Sequence, residues 1–318
     1  MRSRTTCATL ANRLPAWLPG VALLPLWLCL AAPALAAGGA FDDALALLAE
    51  MEQAWSAVDD YTKLVQKTER LVNGDVTEQT VFVKFRRPNH FYMIVLDGPN
   101  KNGELIYPAR EGSDLAVAHA GGFRGGLARL LQKTVILRKV VPTEFRLDDP
   151  SLGEWQHQTA TDASIGATID RIAGNIRRGI EYGEGEIGVA KDCDKNGNCP
   201  LRLDFSFPTG VGETHRVADG ETLWSIGQAY GRSMYTLWYA NPDIRGPRKL
   251  KPGRSLFIPR YYAARGSVWV SPQSLLPTRI EIFDANDELY ERYIYTEVRL
   301  NPGLTDADFN PENPDYRF

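Results

Sequence analysis

Four histidines, His90, His119, His157 and His215, are the only imidazoles in the chain. An imidazole is the usual general base or metal ligand near neutral pH. None of the four stands in a Gly-x-Ser-x-Gly, His-Glu-x-x-His or His-x-x-Glu-His arrangement, so neither a nucleophile elbow nor a zinc helix is written here. His90 before an aromatic run and His215 in a short strand read as surface or edge residues, and His119, beside Gly121-Gly122, as a loop residue. The acidic pairs Asp59/Asp60 and Asp148/Asp149 read as turn and solvation residues, and Arg86-Arg87 as an exposed strand-end pair. No catalytic constellation emerges, and no metal or cofactor fingerprint.

The cysteines depend on compartment. Arg2, Arg4 and Arg13 give a positive start, residues 1–36 hold no acidic residue, and an apolar run from Val21 to Leu30 is broken only by Pro25. Ala34-Leu35-Ala36 then places small residues at a cleavage site, so residues 1–36 are expected to be a signal peptide and the protein periplasmic or otherwise exported. Cys7 and Cys29 leave with it. The remaining pair, Cys193 and Cys199, is most simply one disulfide stapling a hairpin around Asn196-Gly197. Asp192, Asp194, Asn196 and Gly197 also imitate the first half of a calcium loop, but its twelfth position is Leu203, where such a loop needs a bidentate Glu.

Composition narrows the class further. Thirty-two aromatic residues among 318 can fill cores, and 44% hydrophobic with 24% charged residues describes an ordinary globular chain. A formal net charge of −3 excludes the basic stripe by which nucleic-acid binders neutralise phosphates.

The pattern along the chain sets out the elements. Phe41, Ala44, Leu48, Met51, Trp55 and Val58 recur at spacings of three and four, one face of an amphipathic helix. Short runs rich in β-branched and aromatic residues follow: Tyr61–Leu71, Thr80–Phe85, Phe91–Leu96 and Leu105–Tyr107, with turn signals at Asn73-Gly74 and Asn102-Gly103. Ile165, Ile169, Ile172, Ile176 and Ile180 form a second helical stripe behind the cap candidates Asp162 and Ser164. Leu201, Leu203, Phe205 and Phe207 alternate as a half-buried strand, and Val268–Val270, Thr278–Phe283 and Leu289–Leu300 resume the meander.

Between the two strand sets lies a segment of different character, flanked by Pro- and Gly-rich joints. It reads Thr214-His-Arg-Val-Ala-Asp-Gly-Glu-Thr-Leu-Trp-Ser-Ile-Gly-Gln-Ala-Tyr-Gly231, continues through Ser233 to Ile244, and ends Leu250-Lys-Pro-Gly-Arg-Ser-Leu-Phe-Ile-Pro259. Its residues predict a strand, two short helices and a strand. Thr222 and Ser233 supply the N-caps, Gly231 closes the first helix, and Asn241-Pro242 ends the second through a left-handed exit. Over residues 213–260 the segment resembles a LysM domain, inserted into a surface loop of a larger body. The resemblance implies binding of N-acetylglucosamine-containing glycan such as peptidoglycan. It places the groove between Gly220, Glu221, Thr222 and Leu223 on one side and Asn241, Pro242, Asp243 and Ile244 on the other. Glu221 stands where the family more often has Asp.

Residues 37–208 and 267–318 form the body. Its stretches Lys84-Phe-Arg-Arg-Pro-Asn-His-Phe-Tyr-Met93, Gly103-Glu-Leu-Ile-Tyr107 and Asn301 to Phe318 resemble the DUF1571 family. The element order is similar to LolA/LolB-like envelope proteins. That resemblance implies an α+β fold, a curved antiparallel sheet forming an incomplete barrel around packed helices, with an apolar or lipid ligand or an envelope protein as the body's partner. The combined expectation is a non-catalytic envelope protein without a cofactor. The alternative is a cell-wall glycan-active enzyme targeted by its LysM module, recognisable by carboxylates converging on the body's concave face.

Overall fold

The computed structural model describes residues 37–71, 74–119, 121, 144–147, 157–244 and 250–318. The expected signal peptide at 1–36 and the pair Asp148/Asp149 lie outside them. No described helix is long and apolar enough to cross a membrane.

Thirteen strands and four α-helices are described. Helix α1 (Ala37–Ser56) leads into strands β1 (Asp60–Arg70), β2 (Val76–Arg86), β3 (His90–Asp97), β4 (Glu104–Tyr107), β5 (Leu115–His119) and β6 (Glu144–Arg146). Helix α2 (Ile165–Tyr182) precedes the hairpin β7 (Glu186–Lys191) and β8 (Leu201–Ser206). The module follows as β9 (Gly212–Arg216), α3 (Leu223–Tyr230), α4 (Met234–Ala240) and β10 (Ser255–Pro259). Strands β11 (Arg265–Val270), β12 (Pro277–Phe283) and β13 (Leu289–Leu300) complete the body.

Eleven strands make one antiparallel sheet in the order β6-β5-β4-β3-β2-β1-β13-β12-β11-β8-β7, curved but not closed; β9 and β10 pair only with each other. The fold is therefore α+β, as its pattern implied. Strands β8 and β11 pair from Leu201↔Val270 to Ser206↔Arg265, and the module is inserted in the connection that joins them. The two connecting segments stay side by side, with Phe207 N–H donating to Ala264 O at 2.7 Å and Arg260 N–H to Val211 O at 2.9 Å.

Helices α1 and α2 pack on one face of the sheet. Leu47, Leu48 and Met51 from α1 and Ile165, Ile169, Ile172 and Ile176 from α2 share one buried cluster with Val83, Phe85, Leu203, Val268, Ile280 and Tyr295 from the sheet. Burial of this apolar surface is the dominant stabilising term. Ser164 caps α2, its hydroxyl accepting from Ala167 N–H at 3.0 Å. Ile180 departs from the predicted stripe and is 41% exposed. At that last turn the inward position belongs to Gly179, whose missing side chain admits the Phe207 ring: a Cβ there would lie 2.6 Å from it.

Two further expectations are corrected. Asp60 is not a solvated turn residue: it is buried, and its carboxylate accepts from Gly303 N–H at 3.2 Å and Leu304 N–H at 2.8 Å. Those contacts start the C-terminal segment across the opposite face of the sheet, where Tyr316 stacks on Tyr92 with centroids 4.0 Å apart and Lys84 meets Asp308 at 2.7 Å. Nor do Arg86 and Arg87 stand free. Arg86 pairs with Asp306 at 2.6 Å, while Arg87 donates to Trp55 O and Val58 O, the carbonyl end of α1.

Cys193 and Cys199 form a disulfide at the tip of the β7–β8 hairpin. Within that loop Asp194 accepts from Asn196 N–H at 2.8 Å, Asn198 N–H at 2.9 Å and the Asn198 amide at 2.7 Å. The loop's own donors thus occupy the carboxylate that the calcium reading required, and Asp194 is held below the ordinary carboxylate range by them.

Candidate functional site

The module's loops are positioned by its own small core. Val217, Leu223, Ile226, Leu237, Trp238, Ile244, Leu256 and Ile258 form one buried cluster separate from the body's. Leu223 and Ile244 both belong to it. The two predicted groove segments are therefore anchored to one apolar floor, and these two side chains are committed to it.

On the first segment, Gly220 adopts φ +80°, a turn conformation glycine enters without strain. Glu221 Oε2 accepts from Ala218 N–H and lies against His215 Nε2, each at 2.7 Å, and His215 Nδ1 meets the Tyr230 hydroxyl at 3.1 Å. The Ala218 amide and His215 hold the Glu221 carboxyl below its usual range. His215 is thus the centre of a turn-fixing network rather than a simple edge residue. Thr222 caps α3 and closes a reciprocal capping box with Ser225.

On the second segment, Asn241 is buried and uses its whole amide. Its Nδ2 donates to Leu237 O and Phe257 O, and its Oδ1 accepts from Phe257 N–H, all at 2.8 Å. This clamp joins the end of α4 to β10. The backbone at Asn241 has φ −132°, so the predicted left-handed exit is not adopted; the side chain, not an αL turn, directs the chain away. Ile244 O accepts from the Trp238 indole at 3.0 Å. Pro242 and Asp243 are exposed, and Asp243 pairs with Arg254. Of the eight predicted groove residues, the side chains of Glu221, Leu223, Asn241 and Ile244 build the loops. The outward-facing surface consists of the Gly220–Thr222 turn together with Pro242 and Asp243.

A second polar centre, carried by no local motif, lies where the module meets the body. Glu69 on β1 and Glu291 on β13 are cross-strand partners, both buried. The Tyr293 hydroxyl donates to Glu69 at 2.6 Å and lies 3.1 Å from Glu291, and the Tyr262 hydroxyl donates to Glu291 at 2.8 Å. His157 sits against Glu291 at 3.1 Å with its side chain 0% exposed, and the hydroxyl of Tyr239, on α4 of the module, reaches His157 Nε2 at 2.8 Å. Lys67 pairs with Glu69 at 3.2 Å. Burial pushes Glu69 up, but Lys67, His157 and Tyr293 together hold it below the usual carboxylate range. Core-facing charge at alternate positions of β1, namely Lys63, Lys67 and Glu69, was the one signal in the sequence that could have revealed this centre.

Among the described residues no group of three or more His, Cys, Asp or Glu side chains could hold a metal ion. The carboxylates that do converge are closed beneath α2 and the module.

No curated protein matches the chain. Solved structures are similar at low identity. A DUF1329 family protein from Desulfovibrio piger is 11% identical, covering 85% of this chain and 97% of its own, with a TM-score of 0.35. The lipoprotein LppX of Mycobacterium tuberculosis is 10% identical over 82% of this chain and 98% of its own, at 0.36. A LolA superfamily protein from Nitrosomonas europaea is 8% identical over 84% and 97%, at 0.30. The chain carries a LysM domain at residues 215–259, followed by residues 258–318, which match the family described as a protein of unknown function (DUF1571).

Proposed function

We propose that this is an exported, non-catalytic envelope protein that binds N-acetylglucosamine-containing glycan, chiefly peptidoglycan, through its LysM module. The observation that carries the reading is the preserved pair of loops on a common floor. Glu221 and Thr222 fix one and Asn241 fixes the other, leaving backbone groups and short polar side chains outward over apolar residues. Such a surface suits acetamido and hydroxyl groups, which need a few placed polar contacts above an apolar base.

The wall-enzyme reading has less support. Its best candidates, Glu69, Glu291 and His157, are shut from solvent, whereas a general acid or base must come within hydrogen-bond reach of its substrate. Helices α1 and α2 cover one face of the body's sheet, and an apolar ligand and an envelope protein both remain partners compatible with that packing.

Titrating the full-length protein with N-acetylglucosamine oligomers, read by amide chemical shifts, tests the site. Saturable shifts confined to Gly220–Leu223 and Asn241–Ile244 are expected. An absence of shifts, or shifts elsewhere only, would refute the assignment.

A further inference from the structure

We propose that the LysM module is locked onto the body by a doubly protonated His157, which ties Glu291 of the sheet to Tyr239 of the module and so fixes the angle at which the body is presented to the wall. This goes beyond glycan binding and does not depend on it.

Proton positions follow from the acceptors. Nε2 of His157 lies 2.7 Å from Arg70 O, and a carbonyl can only accept, so Nε2 carries a proton. The Tyr239 hydroxyl donates to the same carbonyl at 3.1 Å and offers its lone pair to Nε2–H. Nδ1 faces Glu291 Oε2, which already accepts from Tyr262. Acceptors therefore stand at both ring nitrogens, and an imidazolium satisfies all of them at once. Burial alone would strip the second proton, but Glu291, Glu69 and the Arg70 carbonyl outweigh it and raise the ring above the ordinary imidazole range.

Among the described residues, the groups around His157 are Glu69 and the Arg70 carbonyl from β1, Tyr290, Glu291 and Tyr293 from β13, Tyr262 from the connecting segment, and Tyr239 from α4. Among the described residues, Lys67 acts on Glu69, half-buried Arg171 on Glu291 and the Arg70 guanidinium on Tyr239. Tyr290 packs against the ring with centroids 4.3 Å apart, and Tyr239 meets it edge-on at 5.0 Å.

The connections favour a fixed module too. Tyr261 stacks on Phe207 at 4.3 Å inside the body's core, Tyr262 N–H donates to Asn175 Oδ1 at 2.9 Å, and Arg260 pairs with Glu184 at 2.5 Å. A swinging tether would leave this segment free. Tyr239 also lies two residues before Asn241, so one short helix carries both the lock and a groove loop.

The sign of the pH dependence follows. A group whose folded pKa is raised stabilises fully below its unfolded value, and that contribution disappears as pH rises through the folded one. Raising the pH should release the module.

The test is a distance distribution between spin labels at Gln228→Cys in the module and Arg299→Cys in the body of the protein over residues 37–318, which carries no cysteine besides the bridged Cys193 and Cys199. A narrow distribution at pH 7 that broadens reversibly at alkaline pH is expected. Tyr239→Phe, which keeps the ring and removes the hydroxyl, should be broad already at pH 7. Tyr230→Phe, whose hydroxyl meets His215 within the module, should stay narrow. Nitrogen-15 shifts of His157, assigned with His157→Gln, should show both ring nitrogens protonated at neutral pH. A folded Tyr239→Phe protein as narrow as the native one, or a neutral His157 at pH 7, would overturn the lock. If Tyr239→Phe does not fold, the native pH series decides: a distribution unchanged by pH contradicts the proposal.

Discussion

Glu69 and Glu291 stand directly opposite each other in the β1–β13 ladder, and the Tyr293 hydroxyl reaches both carboxylates, at 2.6 and 3.1 Å. Like charges so placed destabilise a sheet unless cations compensate them. Here Lys67 answers Glu69 and His157 answers Glu291. Burial keeps the Tyr293 hydroxyl protonated and able to donate.

Removing one partner should therefore be costly. Glu291→Gln leaves a buried imidazolium without its anion and is expected to destabilise by roughly 3 to 5 kcal/mol, the range for a broken buried pair. Urea unfolding measures it. The loss should shrink at alkaline pH: His157, raised when folded, contributes below its unfolded pKa and loses that as pH rises through the folded one, after which no imidazolium is left without its anion.

Lys63 behaves in the opposite sense. It is buried, its Nζ lies 3.7 Å from the centroid of the Tyr295 ring and 3.5 Å from Ala163 O, and burial lowers its pKa to about 7. The unfolded chain takes up the proton more readily, so this lysine destabilises the fold below its unfolded pKa, and the penalty fades as pH rises between the folded and unfolded values. Lys63→Met is expected to gain on the order of 2 kcal/mol at pH 7, as replacements of buried charge by apolar groups do. Thermal melts at neutral and strongly alkaline pH should show the advantage disappearing at the higher one.

In the module, Asn241→Ala orphans the Phe257 N–H and carbonyl and should cost about 3 kcal/mol. Thr222→Ala removes only a cap and should cost about 1 kcal/mol. Both substitutions act on the groove loops through their shape. Hydrogen exchange of α3, α4 and β10 should rank them in that order.

The Cys193–Cys199 bridge closes a short, exposed hairpin tip. Replacing both cysteines by serine should cost at most about 2 kcal/mol, the chain-entropy value for so small a loop. Denaturation with and without reductant measures this, and module docking should be untouched.

Local pattern was readable where local physics decides structure. The Ser164 cap, the stripe from Ile165 to Ile176, the Leu201–Phe205 alternation and the caps at Thr222 and Ser233 rest on neighbours a few residues away. The His157 centre draws on residues 69, 157, 239, 262, 291 and 293, which no window contains. Asp60 escapes local pattern for the same reason, since the amides its carboxylate binds lie more than two hundred residues away. Ile180 broke its stripe because Phe207, remote in sequence, fills the space beside Gly179.

Co-sedimentation of the full-length protein with purified insoluble peptidoglycan tests the central claim most directly. The protein is expected to pellet with the wall, and soluble N-acetylglucosamine oligomers should return it to solution. Protein that stays in the supernatant, or pellets without responding to the oligomers, would contradict a glycan-binding role for residues 215–259.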